Sequence, residues 1–136
     1  MILSPQVPVF RDDAGWLLDR PYAVSFLTAP AANAGAVHQN QPRDVELIRP
    51  TMTRRCEMVL AIAAEHGYRH LVLGAWGCGV FKIEPAEVAG LFAGLLIGAG
   101  RYAQVFETVV FAVLDRSPGE SIVRPFRDRF ARRSAR

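Results

Sequence analysis

A glycine-rich segment has the residue types and spacing best suited to chemistry in this sequence. Gly74, Gly77 and Gly79 follow a predicted buried strand, 71–73, and precede a predicted helix that starts at Glu84. Glycine has no Cβ, so an anion can approach the backbone N–H groups of such a loop closely. The positive end of the following helix lies at the same place. This order favours a phosphate-binding loop, with a tight ligand-free turn as the alternative.

The spacing of the three glycines, G-x-x-G-x-G, matches no standard nucleotide motif. It is neither the dinucleotide-binding G-x-G-x-x-G nor a Walker loop, which ends in Gly-Lys-Ser/Thr. Its position carries more information than its spacing. Open α/β sheets bind ligands beyond the carboxyl ends of their strands, which is where this loop is predicted to lie.

The other reactive side chains give weaker indications of a site. Cys78 lies inside the loop, but no histidine is tied to it by a motif, so a small packing residue is favoured over a nucleophile. Trp76 and Phe81 flank the loop, and either core packing or stacking on a ribose or base would suit them. His38, in a predicted long loop, is the histidine best placed to touch a ligand. No paired carboxylates and no metal-ligand spacing are visible, so neither a metal nor a cofactor is predicted.

Composition sets limits on the class of protein. The net charge is +3, from 16 basic and 13 acidic residues, which is too mild to indicate direct binding of nucleic acid. Much of the basic excess is near the C-terminus, where a solvated helix face is favoured over a phosphate-contacting patch. These arginines are Arg124, Arg127, Arg129, Arg132, Arg133 and Arg136.

The sequence also allows predictions of cellular location and membrane association. Two cysteines without a disulfide pattern and the absence of a signal peptide predict a cytoplasmic protein. The longest apolar run, 88–100, is too short to span a bilayer and is broken by glycines, so no membrane association is expected.

The chain is predicted to be one α/β domain, residues 1–136, built as a three-layer α/β/α sandwich. The last two predicted strands are apolar enough to be interior strands, and the strand at 69–73 is expected to be covered on both faces. The predicted strands are 4–10, 16–18, 22–27, 69–73 and 105–114, and the predicted helices are 44–66, 84–99 and 120–132.

Individual prolines and glycines predict where these strands and helices begin and end. Pro21 is predicted to end the second strand of an N-terminal hairpin, and residues 28–42 read as a long loop. Pro50 interrupts the first helical region, so Thr51 is the predicted N-cap of its regular part. Gly67 is the predicted helix end.

Four segments together resemble the microbial-type poly(ADP-ribose) glycohydrolases, a family with a macrodomain fold. They are Ser4–Asp13, Ser25–Gly35, Leu71–Phe81 and Val109–Asp115, and they span nearly the whole chain in the family's order. The resemblance implies an ADP-ribose site in which Gly74 to Val80 wrap the diphosphate and Phe81 packs near the terminal ribose. The ligand-binding residues that it implies are Thr28, Ala29, Pro30, Asn33, Gly74, Ala75, Trp76, Gly77, Cys78, Gly79, Val80 and Phe81.

The sequence departs from the family pattern in two ways. Members of the family carry a second glycine-rich loop followed by Gln-Glu-Glu, in which a glutamate is the general acid. Neither Gly-Gly-Gly nor Gln-Glu-Glu occurs in these 136 residues, so no catalytic residue is predicted, and the chain is interpreted as the C-terminal part of the fold. Ile83 also replaces the family's usual Asn before the helix, and Ile cannot act as an N-cap acceptor.

The function predicted from the resemblance is the ADP-ribose-binding part of a poly(ADP-ribose) glycohydrolase. The complete form would hydrolyse ribose–ribose O-glycosidic bonds, whereas no activity is expected of this chain by itself. The alternatives are a catalytically silent ADP-ribose or nucleotide-binding module and a non-functional fragment. The predicted partners are ADP-ribose or poly(ADP-ribose) and ADP-ribosylated proteins. Because a strand edge would be left open, self-association or binding of the missing N-terminal half in trans is also expected.

Overall fold

The computed structural model describes residues 1–131. They belong to two compact units, Met1–Pro30 and a second that begins at Ala31. The predicted helix end at Arg132, together with Arg133 and Arg136, lies outside the described residues. The strands are β1 (Ile2–Arg11), β2 (Leu17–Thr28), β3 (His70–Leu73) and β4 (Thr108–Phe111), and the helices are α1 (Ala34–Asn40), α2 (Ile48–Glu65), α3 (Pro85–Leu96) and α4 (Val123–Phe130), with a 3₁₀ helix at Pro42–Leu47.

The first unit is the predicted β-hairpin, in which β1 and β2 pair antiparallel. Asp12 builds its turn, because its Oδ1 accepts hydrogen bonds from the backbone N–H groups of Ala14 at 3.0 Å and Trp16 at 2.8 Å. Gly15 has a φ of +87°, a conformation that glycine adopts without the steric cost of a Cβ. The Asp and Gly that signalled this turn in the sequence therefore act as expected.

The predicted break at Pro21 is wrong, because β2 continues through it. The pairing register of the hairpin shifts between Val9 and Arg11 of β1, opposite the part of β2 that contains Pro21. A proline lacks a backbone N–H, so it is tolerated on an edge strand or where the ladder is irregular. The two-stranded hairpin provides both conditions.

The first two helices after the hairpin both differ from the prediction. Residues 28–42, predicted as a loop, contain α1, whose N-cap Asn33 accepts a hydrogen bond from the backbone N–H three residues on, at 3.0 Å. Helix α2 begins at Ile48, so Thr51 lies inside it and is not its N-cap. Pro50 falls in the first turn, where backbone N–H groups have no intrahelical partner and a proline is tolerated.

The second unit contains a parallel two-stranded sheet of β3 and β4, which confirms the predicted parallel arrangement. The register runs from His70 opposite Thr108 to Leu73 opposite Phe111. One face packs on the core through Leu71, Leu73, Val109 and Phe111. On the other face Val72 is 75% exposed and Val110 is 48% exposed, so the prediction that β3 is covered on both faces is wrong for residues 1–131.

The core of the second unit joins this sheet to three helices. The ring of Phe111 on β4 lies 5.7 Å from that of Phe92 on α3, 5.2 Å from Phe126 and 4.5 Å from Phe130, both on α4. Helix α2 contributes the fully buried residues Met52, Cys56 and Leu60. Full burial of a side chain of this size contributes about 1.5–3 kcal/mol. The predicted α/β class is confirmed.

The connection from β4 to α4 depends on one carboxylate. Oδ1 of Asp115 accepts hydrogen bonds from the hydroxyl and backbone N–H of Ser117, at 2.6 and 2.8 Å. Oδ2 accepts from the backbone N–H groups of Ile122 and Val123, at 2.7 and 2.9 Å. Asp115 thus caps the N-terminus of α4 from seven residues upstream, a role that Ile122 at the N-cap position cannot fill.

We expect Asp115→Asn to lower the melting temperature by several degrees at neutral pH, because it removes charge-assisted hydrogen bonds at a helix start. The Ser117 hydroxyl, followed by backbone N–H groups, holds the pKa of Asp115 well below its usual range. A depressed carboxyl pKa stabilises the folded state above the unfolded-state pKa of about 3.9 and loses that effect as pH falls through the folded-state pKa. The difference in melting temperature between the Asp115→Asn variant and the unmodified protein should therefore become smaller in strong acid.

The matched control for this prediction is Asp128→Asn on the exposed surface of α4. Its carboxylate lies 3.9 Å from Arg124, and both side chains are about 70% exposed, so the substitution should change the melting temperature little. Thermal denaturation followed by circular dichroism across the acid range checks both variants. Equal melting temperatures for the Asp115 variant and the unmodified protein at pH 7 would contradict the capping role.

Candidate functional site

The site is formed by the loop between β3 and α3, residues 74–84, which is closed by its own backbone. Ile83 donates its N–H to the carbonyl oxygen of Gly77 at 3.0 Å, and Lys82 donates to that of Gly79 at 3.1 Å. These hydrogen bonds join the second half of the loop to its middle. The loop therefore has a defined conformation that does not depend on a ligand.

Gly77 is the residue whose small size this loop requires. Its φ is +81°, and a Cβ added there would lie 2.6 Å from Cδ1 of Ile83 and 2.9 Å from Cβ of Ala31. Ile83 is only 3% exposed, so the methyl group that a Cβ would meet is itself held in the core. The backbone conformation is one that other residues rarely adopt, and the packing leaves no room for a Cβ, so both favour glycine here.

The outer part of the loop presents free backbone donors. Among residues 1–131, the N–H groups of Gly79, Val80 and Phe81 have no hydrogen-bond acceptor. Val80 is 87% exposed, and a Cβ at Gly79 would meet nothing within 4 Å. Successive unpaired N–H groups close to a helix N-terminus are a typical anion-binding arrangement.

The structure brings Asn33 close to this loop through the backbone of α1. The N–H of Gly35 donates to the carbonyl oxygen of Phe81 at 3.0 Å, two residues after Asn33, whose Oδ1 is used as the cap of α1. The remaining predicted site residues, 28–30, belong to the first unit. Their part in the site stays a prediction.

The larger side chains of the loop are half-buried. Ala75, Trp76, Cys78 and Phe81 all pack against the core of the second unit. The core-packing interpretation of Trp76 and Phe81 is therefore confirmed, while stacking on a ligand stays a prediction. These contacts hold the loop against the core of the second unit.

Cys78 is present as a thiol at neutral pH. Burial, with a smaller contribution from the nearby carboxylate of Glu84, raises the pKa of Cys78 to about 11. Burial also raises the pKa of Cys56 to about 12. Since the thiolate is the nucleophile, neither residue is prepared for covalent catalysis. Among residues 1–131 no group of three His, Cys, Asp or Glu could hold a metal ion.

A separate cavity of about 820 Å³ lies beside the loop, between the helices of the second unit. His38 lines it, and the Nδ1 of that histidine lies 2.7 Å from the carbonyl oxygen of Ala34. Glu87 also lines it, with one carboxylate oxygen buried and without a partner in the described part of the chain. Residues 82–84 of the loop line this cavity, whereas none of the glycines of the loop does. His38 is thus placed at this cavity.

Two residues with structural roles in the loop were not identified as such from the sequence. Ile83 anchors the loop in the core, whereas the sequence marked it only as the loss of a helix cap; α3 indeed begins after Glu84 without a side-chain cap. Lys82 has a φ of +60°, and its Cγ would lie 3.2 Å from a Cβ added at Gly35. Its only sequence signal is that it is the one lysine in the chain.

Among residues 1–131, none of the helices combines the length and the hydropathy that crossing a membrane requires.

No protein-family model and no curated protein sequence matches the chain. Solved structures do match it.

A structure of poly(ADP-ribose) glycohydrolase from Deinococcus radiodurans, a threonine-to-lysine mutant in complex with ADP-ribose, is 50% identical with a TM-score of 0.89, over 95% of this chain and 51% of that one. The apo form of the Deinococcus protein has a TM-score of 0.86 at 50% identity, over 93% of this chain and 51% of that one. The glycohydrolase from Thermomonospora curvata is 54% identical, with a TM-score of 0.84. The match covers 94% of this chain and 46% of that one. The chain thus spans about half the length of these relatives. With this identity over nearly all of its residues, the chain belongs to the bacterial poly(ADP-ribose) glycohydrolase family, as the glycine loop and its flanking segments predicted.

Proposed function

We propose that this chain is the ADP-ribose-binding part of a poly(ADP-ribose) glycohydrolase. The observation that carries the proposal is the run of three backbone N–H groups, at Gly79, Val80 and Phe81, that have no acceptor within the described part of the chain. A diphosphate offers several acceptor oxygens to such a run, and the N-terminus of α3 adds a favourable dipole. The ADP-ribose bound in the Deinococcus radiodurans relatives supports this ligand.

The binding residues of the proposal extend on both sides of the loop. Gly74 to Val80 wrap the diphosphate, Phe81 packs near the terminal ribose, and Asn33 lies at the edge of the same site. Residues 28–30, which belong to the first unit, are included on the family resemblance alone. The closed backbone of the loop supports this arrangement, because a preformed site does not lose binding energy to ordering of the loop.

The reaction of the complete protein is hydrolysis of the O-glycosidic bond between riboses of poly(ADP-ribose). Binding of the diphosphate holds the scissile ribose in position, and a glutamate protonates the leaving oxygen. The family's Gln-Glu-Glu motif does not occur in this sequence, so that glutamate comes from outside these 136 residues. The second candidate, a silent ADP-ribose-binding module, is supported by the same run of backbone N–H groups at Gly79, Val80 and Phe81.

The proposal includes a cytoplasmic location and ADP-ribosylated proteins as further partners. Both cysteines are free thiols, which is usual for proteins of a reducing compartment. An ADP-ribose group attached to a protein carries the same diphosphate as the free ligand. The exposed position of Val80 supports access for such a group.

Gly79→Val should weaken ADP-ribose binding at least about tenfold without changing the melting temperature. Gly79 has open space around its Cβ position, so the added side chain leaves the fold intact but occupies the approach to the N–H groups. Gly77→Val is a poorer test, because its clash with Ile83 would disturb the loop itself. Isothermal titration calorimetry with ADP-ribose measures the effect.

The matched control for this titration is Gly94→Ala, an exposed glycine of α3 with open space around it. It should bind ADP-ribose as the unmodified chain does and be slightly more stable, since Ala is favoured over Gly in a helix. No heat and no thermal shift with the unmodified chain at millimolar ADP-ribose would refute both binding candidates. Equal affinity of the Gly79 variant would refute the geometry of the loop.

We expect this chain alone to bind poly(ADP-ribose) without cleaving it, because the proposed general acid lies outside its sequence. Release of free ADP-ribose from the polymer, followed by chromatography, measures cleavage. The Thermomonospora curvata enzyme serves as the positive control under the same conditions. Turnover by these 136 residues would show that another group acts as the acid and would exclude the silent-module candidate.

A further inference from the structure

The cavity beside the glycine loop is bordered by three cationic side chains from different parts of the second unit. They are Arg49 at the start of α2, Lys82 of the loop and Arg129 on α4. None of the three forms an ion pair within residues 1–131. The cavity has a volume of about 820 Å³, a size typical of sites for small organic ligands. Its cationic side chains therefore remain available to an anionic group of a ligand.

A buried carboxylate oxygen gives the same cavity a second chemical requirement. Glu87, in the first turn of α3, has its Oε1 buried without a hydrogen-bond partner in the described part of the chain. Buried polar atoms in folded proteins normally have a partner, and an ionised carboxylate can only accept a hydrogen bond. Glu84 also lines the cavity, so the cations face two acidic residues. A matching ligand combines an anionic group with hydroxyl or amine donors.

His38 adds another acceptor to the wall. Its Nδ1 lies 2.7 Å from the carbonyl oxygen of Ala34, and a carbonyl can only accept, so Nδ1 carries the proton. In the neutral ring Nε2 is then an acceptor. Most of the remaining wall is apolar, with Val45, Ile48, Ile83, Ala86 and Leu91. An inorganic anion would leave the acceptors and the apolar wall unused, whereas a phosphorylated sugar can contact all three kinds of surface.

The position of the cavity relates it to the glycine loop. Residues 82–84 line the cavity and follow Phe81 directly in the chain. The N–H of Gly35 donates to the carbonyl oxygen of Phe81 at 3.0 Å, which attaches α1, another wall of the cavity, to the loop. In the proposed function Phe81 packs near the terminal ribose, and in a polymer that ribose is bonded to the next unit. The next unit thus starts beside Phe81, where the cavity begins.

We propose that this cavity binds a phosphorylated sugar, supplied by the second ADP-ribose unit of a polymer whose terminal unit occupies the glycine loop. Phosphate oxygens accept hydrogen bonds from Arg49, Lys82 and Arg129, and ribose hydroxyls donate to Glu87. The inference rests on the proposed function, because it extends binding from one ADP-ribose unit to two. A free phosphorylated sugar offers the same groups and is the other source of this chemistry.

The first experiment compares ADP-ribose with an oligomer of two ADP-ribose units by isothermal titration calorimetry on this chain. The oligomer should bind at least about tenfold tighter, because its second unit is tethered beside the cavity. Arg49→Glu should reduce the affinity for the oligomer to that for ADP-ribose and leave ADP-ribose binding unchanged. Arg49 is exposed and lies in the first turn of α2, where a carboxylate is favourable, so the melting temperature should not fall.

The matched control is Arg43→Glu, which makes the same change of charge at an exposed residue of the neighbouring 3₁₀ helix. Arg43 does not line the cavity, so this variant should bind the oligomer as the unmodified chain does. Equal losses of oligomer affinity with the Arg43 and Arg49 variants would overturn the proposal, because they would reflect the net charge of the surface.

The second experiment adds ribose 5-phosphate to the Gly79→Val variant, in which the approach to the glycine loop is blocked. Binding, followed by NMR chemical shifts, should persist in this variant and be lost when Arg49→Glu is added. Glu87→Gln, made in the same Gly79→Val background, should weaken it about tenfold, since a neutral acceptor replaces a charged one. Inorganic phosphate offers no sugar hydroxyl, so its weaker binding should not respond to Glu87→Gln.

The two experiments separate this inference from the proposed function. Binding of ribose 5-phosphate without any binding of ADP-ribose would refute the function of the loop and support the cavity. Equal affinities for ADP-ribose and the oligomer would refute the polymer as the source, and would assign the cavity to a free phosphorylated sugar if ribose 5-phosphate still binds. Absence of ribose 5-phosphate binding together with equal affinities would overturn the inference as a whole.

Discussion

The conformation of the glycine loop depends on the contact between Gly77 and Ile83. The absence of a Cβ at Gly77 allows its backbone to lie against the buried side chain of Ile83 and beside Ala31. The hydrogen bond from Ile83 to Gly77 closes the loop over that contact. The backbone N–H groups of Gly79, Val80 and Phe81 are left without acceptors among residues 1–131. The loop is thus held by the core on one side, and its outer backbone presents a preformed run of hydrogen-bond donors.

The proposed function separates ligand binding from cleavage of the glycosidic bond. The described residues provide a rigid donor loop, a helix N-terminus and a half-buried aromatic pair, all suited to holding a nucleotide. Burial raises the pKa of the Cys78 thiol, so this residue is not activated as a nucleophile at neutral pH. In the proposed function, this chain binds the ligand, and the general acid is not among these 136 residues.

Several features of the fold could be predicted from the sequence because they depend on local chemistry. Asp12 and Gly15 specify the hairpin turn through short-range hydrogen bonding and a positive φ. Gly67 ends α2 with a φ of +73°, and the apolar spacing of Met52, Cys56 and Leu60 marks its buried face. Prolines misled the prediction at positions 21 and 50. A proline breaks a helix or strand only where the backbone N–H that it lacks would have donated a hydrogen bond. That depends on how the strand or helix is paired at this position and not on the proline itself.

The sequence by itself determined the family, the α/β class, the parallel pair of strands and the position of the glycine loop. These follow from residue types at fixed spacing, which local backbone preferences translate directly into structure. Tertiary structure decided that Ile83 is an anchor, that Asn33 is a helix cap, that His38 lines a separate cavity and that Asp115 caps α4 across a loop. It also decided that Val72 and Val110 face solvent, although their strands are apolar enough for an interior sheet. Burial is set by which other chain segments are present to cover a residue, and no pattern within the strand records that.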